Sequence, residues 1–424
     1  FFKQKTAYEM LRSLVGSEMC IRDSYKPETL ILSYGYVPEW SEYALKPPIY
    51  QTSTFVFKSA KDGKKFFELA YGLREKEPSE QIGLIYSRLN NPNLEILEDR
   101  LTLYDEAEDC AVFSSGMSAI STTILTFLKP GDKIVYSTPL YGGTYYLFEH
   151  FLKSMDIKVL KFYLHENEDN VINLILREKP KIIYIETPTN PTLQMIDIEK
   201  FSKISKEINS ILIVDNTFLG PIYQKPLKFG ADIVIYSATK YICGHSDVVA
   251  GAVVGYKNYI NEIKKTRTFL GTITDPINAW LLLRSLETLK IRFEKQTENA
   301  IKIAHFLKEH KNVKKVYYPL FSEGKQYEIY KKQCLGPGAM ISFDINGNEE
   351  TAFKFLDNLK VFKIAVSLGG TESLAEHPWS MTHSDIENSE KLKIGITESM
   401  IRLSIGIEDV QDLINDLKQA LDKI

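Results

Sequence analysis

The 424 residues are enough for two or three domains, each with a full hydrophobic core. With 44% hydrophobic and 25% charged residues the chain has the make-up of a soluble globular enzyme, and 52 Lys and Arg against 55 Asp and Glu leave no basic stripe or acidic tail that would mark nucleic acid or a membrane surface as a partner. No run approaches the ~18 apolar residues of a membrane span, and Cys20, Cys110, Cys243 and Cys334 form no CxxC pair, so neither a disulfide framework nor a zinc site is indicated and the expected compartment is the reducing cytoplasm.

Taken in chain order, residues 1–24 do not match the rest. FFKQKTAYEMLRSLVGSEMCIRDS lacks the apolar core of a secretory signal, resembles translated sequencing-adapter sequence, and is read as foreign, with a helical arm over AYEMLRSLV as the alternative. Residues 25–86 form an N-terminal arm: KPPIYQTSTFVF is extended, a helix is predicted over Ala60–Ala70, and GLREKEPSEQIG is a polar loop placed near an active-site mouth. Such an arm has too little apolar surface to fold alone and is expected to pack on the main body or on another subunit. Residues 87–283 alternate helix and strand, from NLEILEDRLTLYDEAE through CAVFSSGMSAISTTILTFLKPGD, KIVYS, KIIYIETPTNP, ILIVDNTF and ADIVIYSATK. Apolar strands separated by helical patterns imply an α/β fold with a large, mostly parallel sheet whose polar strand ends converge on one edge. Residues 284–424 change pattern: a long helix, then AMISFDI, a helix around FKFLDNL, KIAVSLGG, MIRLSIGI and a closing helix, which reads as a smaller α+β domain. No internal repeat or low-complexity segment interrupts the chain.

The strand ends carry the chemistry. Ser115-Gly116-Met117 lies between a strand and a helix, where backbone N–H groups and the helix dipole hold phosphate, although Ser-Gly turns are common in α/β proteins. Tyr141, in LYGGT, sits at another such turn and is either a stacking face or a core tyrosine; Asn190, between two prolines in ETPTNP, presents its amide or simply forms the turn. Asp215 ends ILIV and needs a cation or donors if buried, with a helix N-cap as the alternative. Lys240 follows the buried run ADIVI with Ser237 and Thr239 just before it. A lysine there is open to desolvation, which lowers its pKa and permits Schiff-base chemistry. An amine, two hydroxyls and a carboxylate at one sheet edge point to pyridoxal phosphate. Tyr86 and Arg88, in YSR, are either phosphate contacts or solvated; Arg402, inside an apolar strand, wants a carboxylate from the protein or from a substrate.

From about Tyr34 onward, YSRLNNPNLEILEDRL, SSGMSAI, LYGGT, ETPTNP, DNTF, SATKYICGHSD and VSLGGTESLAEHPWSMTHS occur in order, and their combination resembles the transsulfuration group of pyridoxal phosphate enzymes. That group holds cystathionine γ-synthase, cystathionine γ-lyase, methionine γ-lyase and the O-acylhomoserine sulfhydrylases. The resemblance implies the type I aminotransferase fold and homotetramers built from catalytic dimers. It implies that Lys240 binds the cofactor covalently and serves as base at the substrate Cα, that Asp215 pairs with the pyridine nitrogen, and that Tyr141 stacks on the ring and protonates the leaving group. Gly116, Met117, Ser237 and Thr239 would hold the phosphate, with Tyr86 and Arg88 reaching the phosphate of a neighbouring subunit. Ser367 and Arg402 would hold the carboxylate of an amino-acid substrate, and Asn190 the ring hydroxyl or that carboxylate. His245, His377 and His383 sit in these motifs without metal-ligand spacing and are read as structural or channel residues. Gly143 stands where well-known methionine γ-lyases carry cysteine, which ranks methionine degradation below γ-chemistry on cystathionine or homoserine esters. An aminotransferase is the rival enzyme. A non-catalytic relative is the rival of another class, and it would be expected to lose Lys240, Asp215 or Arg402.

Overall fold

The computed structural model describes residues 24–75, 77 and 83–424. Apart from Ser24, the front segment read as foreign lies outside them, as do Cys20 and the centre of the polar loop of the arm. Seven strands form the larger sheet: β1 (Asp109–Phe113), β2 (Lys133–Thr138), β3 (Lys158–Tyr163), β4 (Ile182–Glu186), β5 (Ile211–Asp215), β6 (Ile233–Tyr236) and β7 (Gly251–Gly255). Their order is β1-β7-β6-β5-β4-β2-β3, and all but β7 run the same way. β4 is buried at every position and β5 and β6 nearly so, as expected for parallel strands covered by helices on both faces. The expectation of a mostly parallel sheet therefore holds. The exception, β7, follows a connection over 237–250 that holds turns and no helix to carry the chain across a face of the sheet, and it returns antiparallel to β6.

Two helices show how local sequence fixes the edge on which the cavity sits. Helix Pro92–Asp105 starts at Asn91, whose side chain accepts from Asn93 N, with Pro92 at the first turn, where its missing N–H costs nothing. Helix Gly116–Phe127 starts at Ser115 in a reciprocal cap with Ser118 and points its N-terminus along the carboxyl edge of the sheet. A second sheet, in the order β10-β11-β12-β9-β8, comprises β8 (Val313–Tyr317), β9 (Met340–Ile345), β10 (Lys363–Ile364), β11 (Leu374–Glu376) and β12 (Met400–Ser404). Helix Leu289–Glu309 packs on β8 and β9, and helix Val410–Leu421 packs on that helix in turn. Within KIAVSLGG only Lys363–Ile364 pair; after Ala365 N donates to Ala375 O the chain leaves the sheet, and Val366 and Ser367 line the cavity. No helix of the described residues is long and apolar enough to cross a membrane.

Candidate active site

One cavity of about 490 Å³ opens where the carboxyl ends of the larger sheet meet the second sheet, a size suited to a small ligand. Gly116, Met117, Tyr141, Asn190, Asp215, Ser237, Thr239, Lys240, Ser367 and Arg402 all line it, so ten of the twelve candidate residues converge. Tyr86 and Arg88 do not. They sit in a separate groove of the arm with Phe57, Phe67 and Tyr71, where Arg88 Nη1 donates to Thr268 O at 2.7 Å. The described flank of the polar loop, at Tyr71, lies in that groove and not at the mouth of this chain's own cavity.

Lys240 stands four residues beyond the end of β6, and its Nζ donates to Ser367 Oγ at 3.2 Å. Burial, reinforced by the Arg402 charge and opposed by Glu376, pushes its pKa down to about 8. Because the neutral amine is the nucleophile, uptake of pyridoxal phosphate by the apoprotein is expected to accelerate as pH rises through about 8 and to level off above. A stopped-flow profile still climbing toward 10.5 would mean the amine is solvated.

Asp215, the last residue of β5, is buried; its Oδ1 accepts from Thr217 N at 3.0 Å and Thr217 Oγ1 at 2.7 Å, and its Oδ2 from Tyr184 O–H at 3.2 Å. Burial raises its pKa because none of these partners carries a positive charge. A protonated pyridine nitrogen would supply the missing cation. Its register neighbour on β4, Glu186, was not singled out in the sequence. Its Oε2 accepts from Tyr141 N at 2.9 Å and its Oε1 from Asn190 N at 2.8 Å, so one carboxyl group ties together the two turns that carry Tyr141 and Asn190. Burial, followed by the nearby Asp215 charge, raises the Glu186 pKa.

At the phosphate end, a Cβ on Gly116 would lie 2.9 Å from Ser237 Cβ, so only glycine lets the helix N-terminus and Ser237 close up. The Ser237 hydroxyl makes no hydrogen bond among the described residues, whereas that of Thr239 donates to Ala250 O and accepts from Ala250 N, leaving its backbone N–H bonded to the same carbonyl. Tyr141 is 44% exposed and borders the cavity. A Cβ on Gly143 would come within 2.7 Å of its ring and 3.0 Å of Met117 Sδ, so the glycine leaves room for that ring position.

Arg402, on β12, is 3% exposed and faces Glu376, 1% exposed, its register partner on β11. Nη1 lies 2.7 Å from Glu376 Oε1 and donates to Asn190 Oδ1 at 2.9 Å; Nη2 donates to Ser367 O at 3.2 Å. Arg402 Nε and Glu376 Oε2 have no partner among the described residues. Both readings of Arg402 thus meet in one place: a structural carboxylate already holds it, and donor capacity remains on its cavity side. The histidines are held by local bonds, His377 to Ser380 Oγ and Glu398 O, His245 to Cys243 O, and His383 to Thr382 Oγ1.

A doubly covered sheet, a desolvated lysine at its carboxyl edge, a buried carboxylate lacking a cation and a helix N-terminus beside a serine define an α/β enzyme built for pyridoxal phosphate. The chain belongs to the Cys/Met metabolism PLP-dependent enzyme family, whose model matches residues 28–422. It is 44% identical over 383 residues, 90% of this chain and 94% of the relative, to an L-methionine gamma-lyase of Fusobacterium nucleatum subsp. nucleatum. It is 40% identical to a cystathionine gamma-lyase of Bacillus subtilis over 94% of this chain and all of that one. In three dimensions it superposes on cystathionine gamma synthase from Xanthomonas oryzae pv. oryzae, solved with aminoacrylate and cysteine, with a TM-score of 0.86, 34% identity, and coverage of 94% and 98% of the two chains.

Proposed function

We propose that the chain catalyses γ-elimination or γ-replacement on sulfur amino acids or activated homoserine. The observation that carries this reading is the convergence of Lys240, Asp215 and Arg402 on one cavity. When bound, pyridoxal phosphate supplies an electron-withdrawing ring that stabilises negative charge at Cα and then at Cβ of an amino acid. Asp215 keeps the ring nitrogen protonated. Arg402, steadied by Asn190 and Ser367, binds the α-carboxylate and so orients the Cα–H bond toward Lys240. Lys240, part neutral near pH 8, would hold the cofactor through its Nζ and would take the Cα proton of the bound amino acid. Tyr141 delivers a proton to the departing γ-group. Gly116, Met117, Ser237 and Thr239 hold the phosphate.

Among the described residues the cations lining the cavity are Lys240, whose Nζ donates to Ser367, and Arg402, which is paired with Glu376, and this supports a contribution to the phosphate from a second copy. Tyr86, 40% exposed, and Arg88 present a phenol and a guanidinium on an arm that also exposes Tyr43, Leu45, Val56 and Leu73. Catalytic dimers assembled into a homotetramer would cover that surface, residues 25–86 acting as the arm, 87–283 as the cofactor domain and 284–424 as the smaller domain. Three free thiols, Cys110, Cys243 and Cys334, fit a cytoplasmic setting.

A second reading, methionine γ-lyase, is favoured by the 43% and 44% identity to two Fusobacterium proteins of that name, against the ranking drawn from Gly143. O-acylhomoserine sulfhydrylation is a third branch of the same chemistry. The test is the visible spectrum and product analysis of protein expressed from Tyr25 with O-succinylhomoserine, cystathionine and methionine in turn. A visible band that shifts with one of them, together with a 2-oxo acid or thioether product, is expected. A protein that stays colourless with added cofactor, or that gives only β-elimination, overturns the reading.

A further inference from the structure

The lining of the cavity divides by charge. Its inner part is assigned by the reading above: the phosphate end at Gly116 and Ser237, the ring nitrogen at Asp215, the α-carboxylate at Arg402. The γ-substituent of a substrate is left the outer end, where Tyr146, Val249 and Val366 are 59%, 61% and 58% exposed and where Asp385 also stands. The Asp385 carboxylate lies against the Tyr141-Gly142 turn, its Oδ1 4.0 Å from where a Cβ on Gly142 would be. It is solvent-exposed, and no hydrogen bond or ion pair engages it among the described residues. Lys391 feels the Asp385 charge but is engaged elsewhere, its Nζ donating to Trp379 O at 3.0 Å and to Asn388 Oδ1 at 3.4 Å and lying 4.8 Å from the Trp379 ring. The cationic residues that line the cavity are Lys240 and Arg402, both at its inner part, and Arg402 is already paired with Glu376 at 2.7 Å. Among the described residues no cation lines the outer end to neutralise a second carboxylate, and Asp385 there repels one.

We propose that Asp385 is a specificity-determining residue. It selects against substrates whose γ-substituent ends in a carboxylate and admits those whose γ-substituent is neutral, such as an acetyl ester or a thioether, or ends in an ammonium group. The substrate class so defined rests on the γ-chemistry proposed above. Two like charges a few ångströms apart at a solvent-facing mouth shift the preference by about fivefold.

The experiment compares the holoenzyme with its Asp385→Asn variant on O-succinylhomoserine and O-acetylhomoserine, which share a leaving oxygen and differ in the terminal charge. The ratio of kcat/KM, succinyl over acetyl, is expected to rise about fivefold in the variant and the difference to shrink as salt is added. The same pair of proteins is titrated, through the visible cofactor band, with norleucine and with 2-aminoadipate, unreactive amino acids that differ in the same way. Tighter 2-aminoadipate binding in D385N relative to norleucine supports the assignment. An unchanged ratio in this titration overturns it, whatever the esters do. If the wild type turns over neither ester nor any sulfur amino acid while the titration still shows the shift, the γ-chemistry fails and the charge selection by Asp385 stands.

Discussion

Replacement of Lys240 by Ala is expected to lower kcat/KM for every substrate by at least about 10⁴-fold, because the proposed mechanism gives this one side chain the tasks of both nucleophile and general base. The same change should not unfold the protein. Lys240 makes one hydrogen bond, at 3.2 Å to Ser367 Oγ, and burial has already pushed its pKa down to about 8. A lysine whose pKa falls on folding binds its proton less well in the folded chain than in the unfolded one, so below pH 8 it opposes folding and its removal relieves that cost. Thermal unfolding of the apoprotein at pH 7 should therefore match or exceed that of the wild type, and the visible band should be absent or displaced. Near-normal turnover in K240A would sink the assignment of Lys240. A cooperative melt lost together with activity would show that the lysine is structural.

Much of this site was legible because buried parallel strands write themselves plainly. IIYIE and ILIVD are apolar until their last residue, and the abrupt change to carboxylate marks where each strand meets the cavity. The same contrast, IVIY followed by Ser237, Thr239 and Lys240, located the lysine. What the sequence concealed depends on pairing across long separations. Glu376 meets Arg402 only because β11 and β12 align in one register, and no spacing along the chain announces it. Glu186 stood in full view in ETPTNP, yet its task, accepting from Tyr141 N and Asn190 N together, requires the turn after β2 to lie beside the turn after β4. The direction of β7 was hidden for a related reason: VVAGAVV is equally apolar in either orientation, and what distinguishes the two is that the 237–250 connection forms no crossover helix. Tyr86 and Arg88 were named for a neighbouring subunit, and their place outside this chain's cavity agrees with that role without testing it.

Substitution of Arg402 by Ala should remove two things at once, and they can be separated. The first is the proposed α-carboxylate contact, whose loss would raise KM and, through misplacement of the Cα–H bond, lower kcat, together by about 10²-fold or more. The second is the one cation paired with Glu376 among the described residues, Glu376 itself being 1% exposed. Stranding a buried carboxylate costs about 3–5 kcal/mol, so R402A should also unfold at markedly lower denaturant. Burial already raises the Glu376 pKa and the Arg402 charge opposes that rise, so without Arg402 it climbs further. A raised carboxyl pKa in the folded chain contributes stability at low pH and loses it as pH rises through the folded value, so the deficit of R402A should be smallest in mild acid and grow toward neutrality. Replacing both partners, in Arg402→Met with Glu376→Leu, removes the stranded charge and should recover most of the lost stability without recovering activity. Denaturant midpoints and KM measured on the wild type, R402A and the double variant decide the matter. If the double variant regained activity along with stability, Arg402 would be a structural partner of Glu376 alone, and the α-carboxylate would have to be held elsewhere in the cavity.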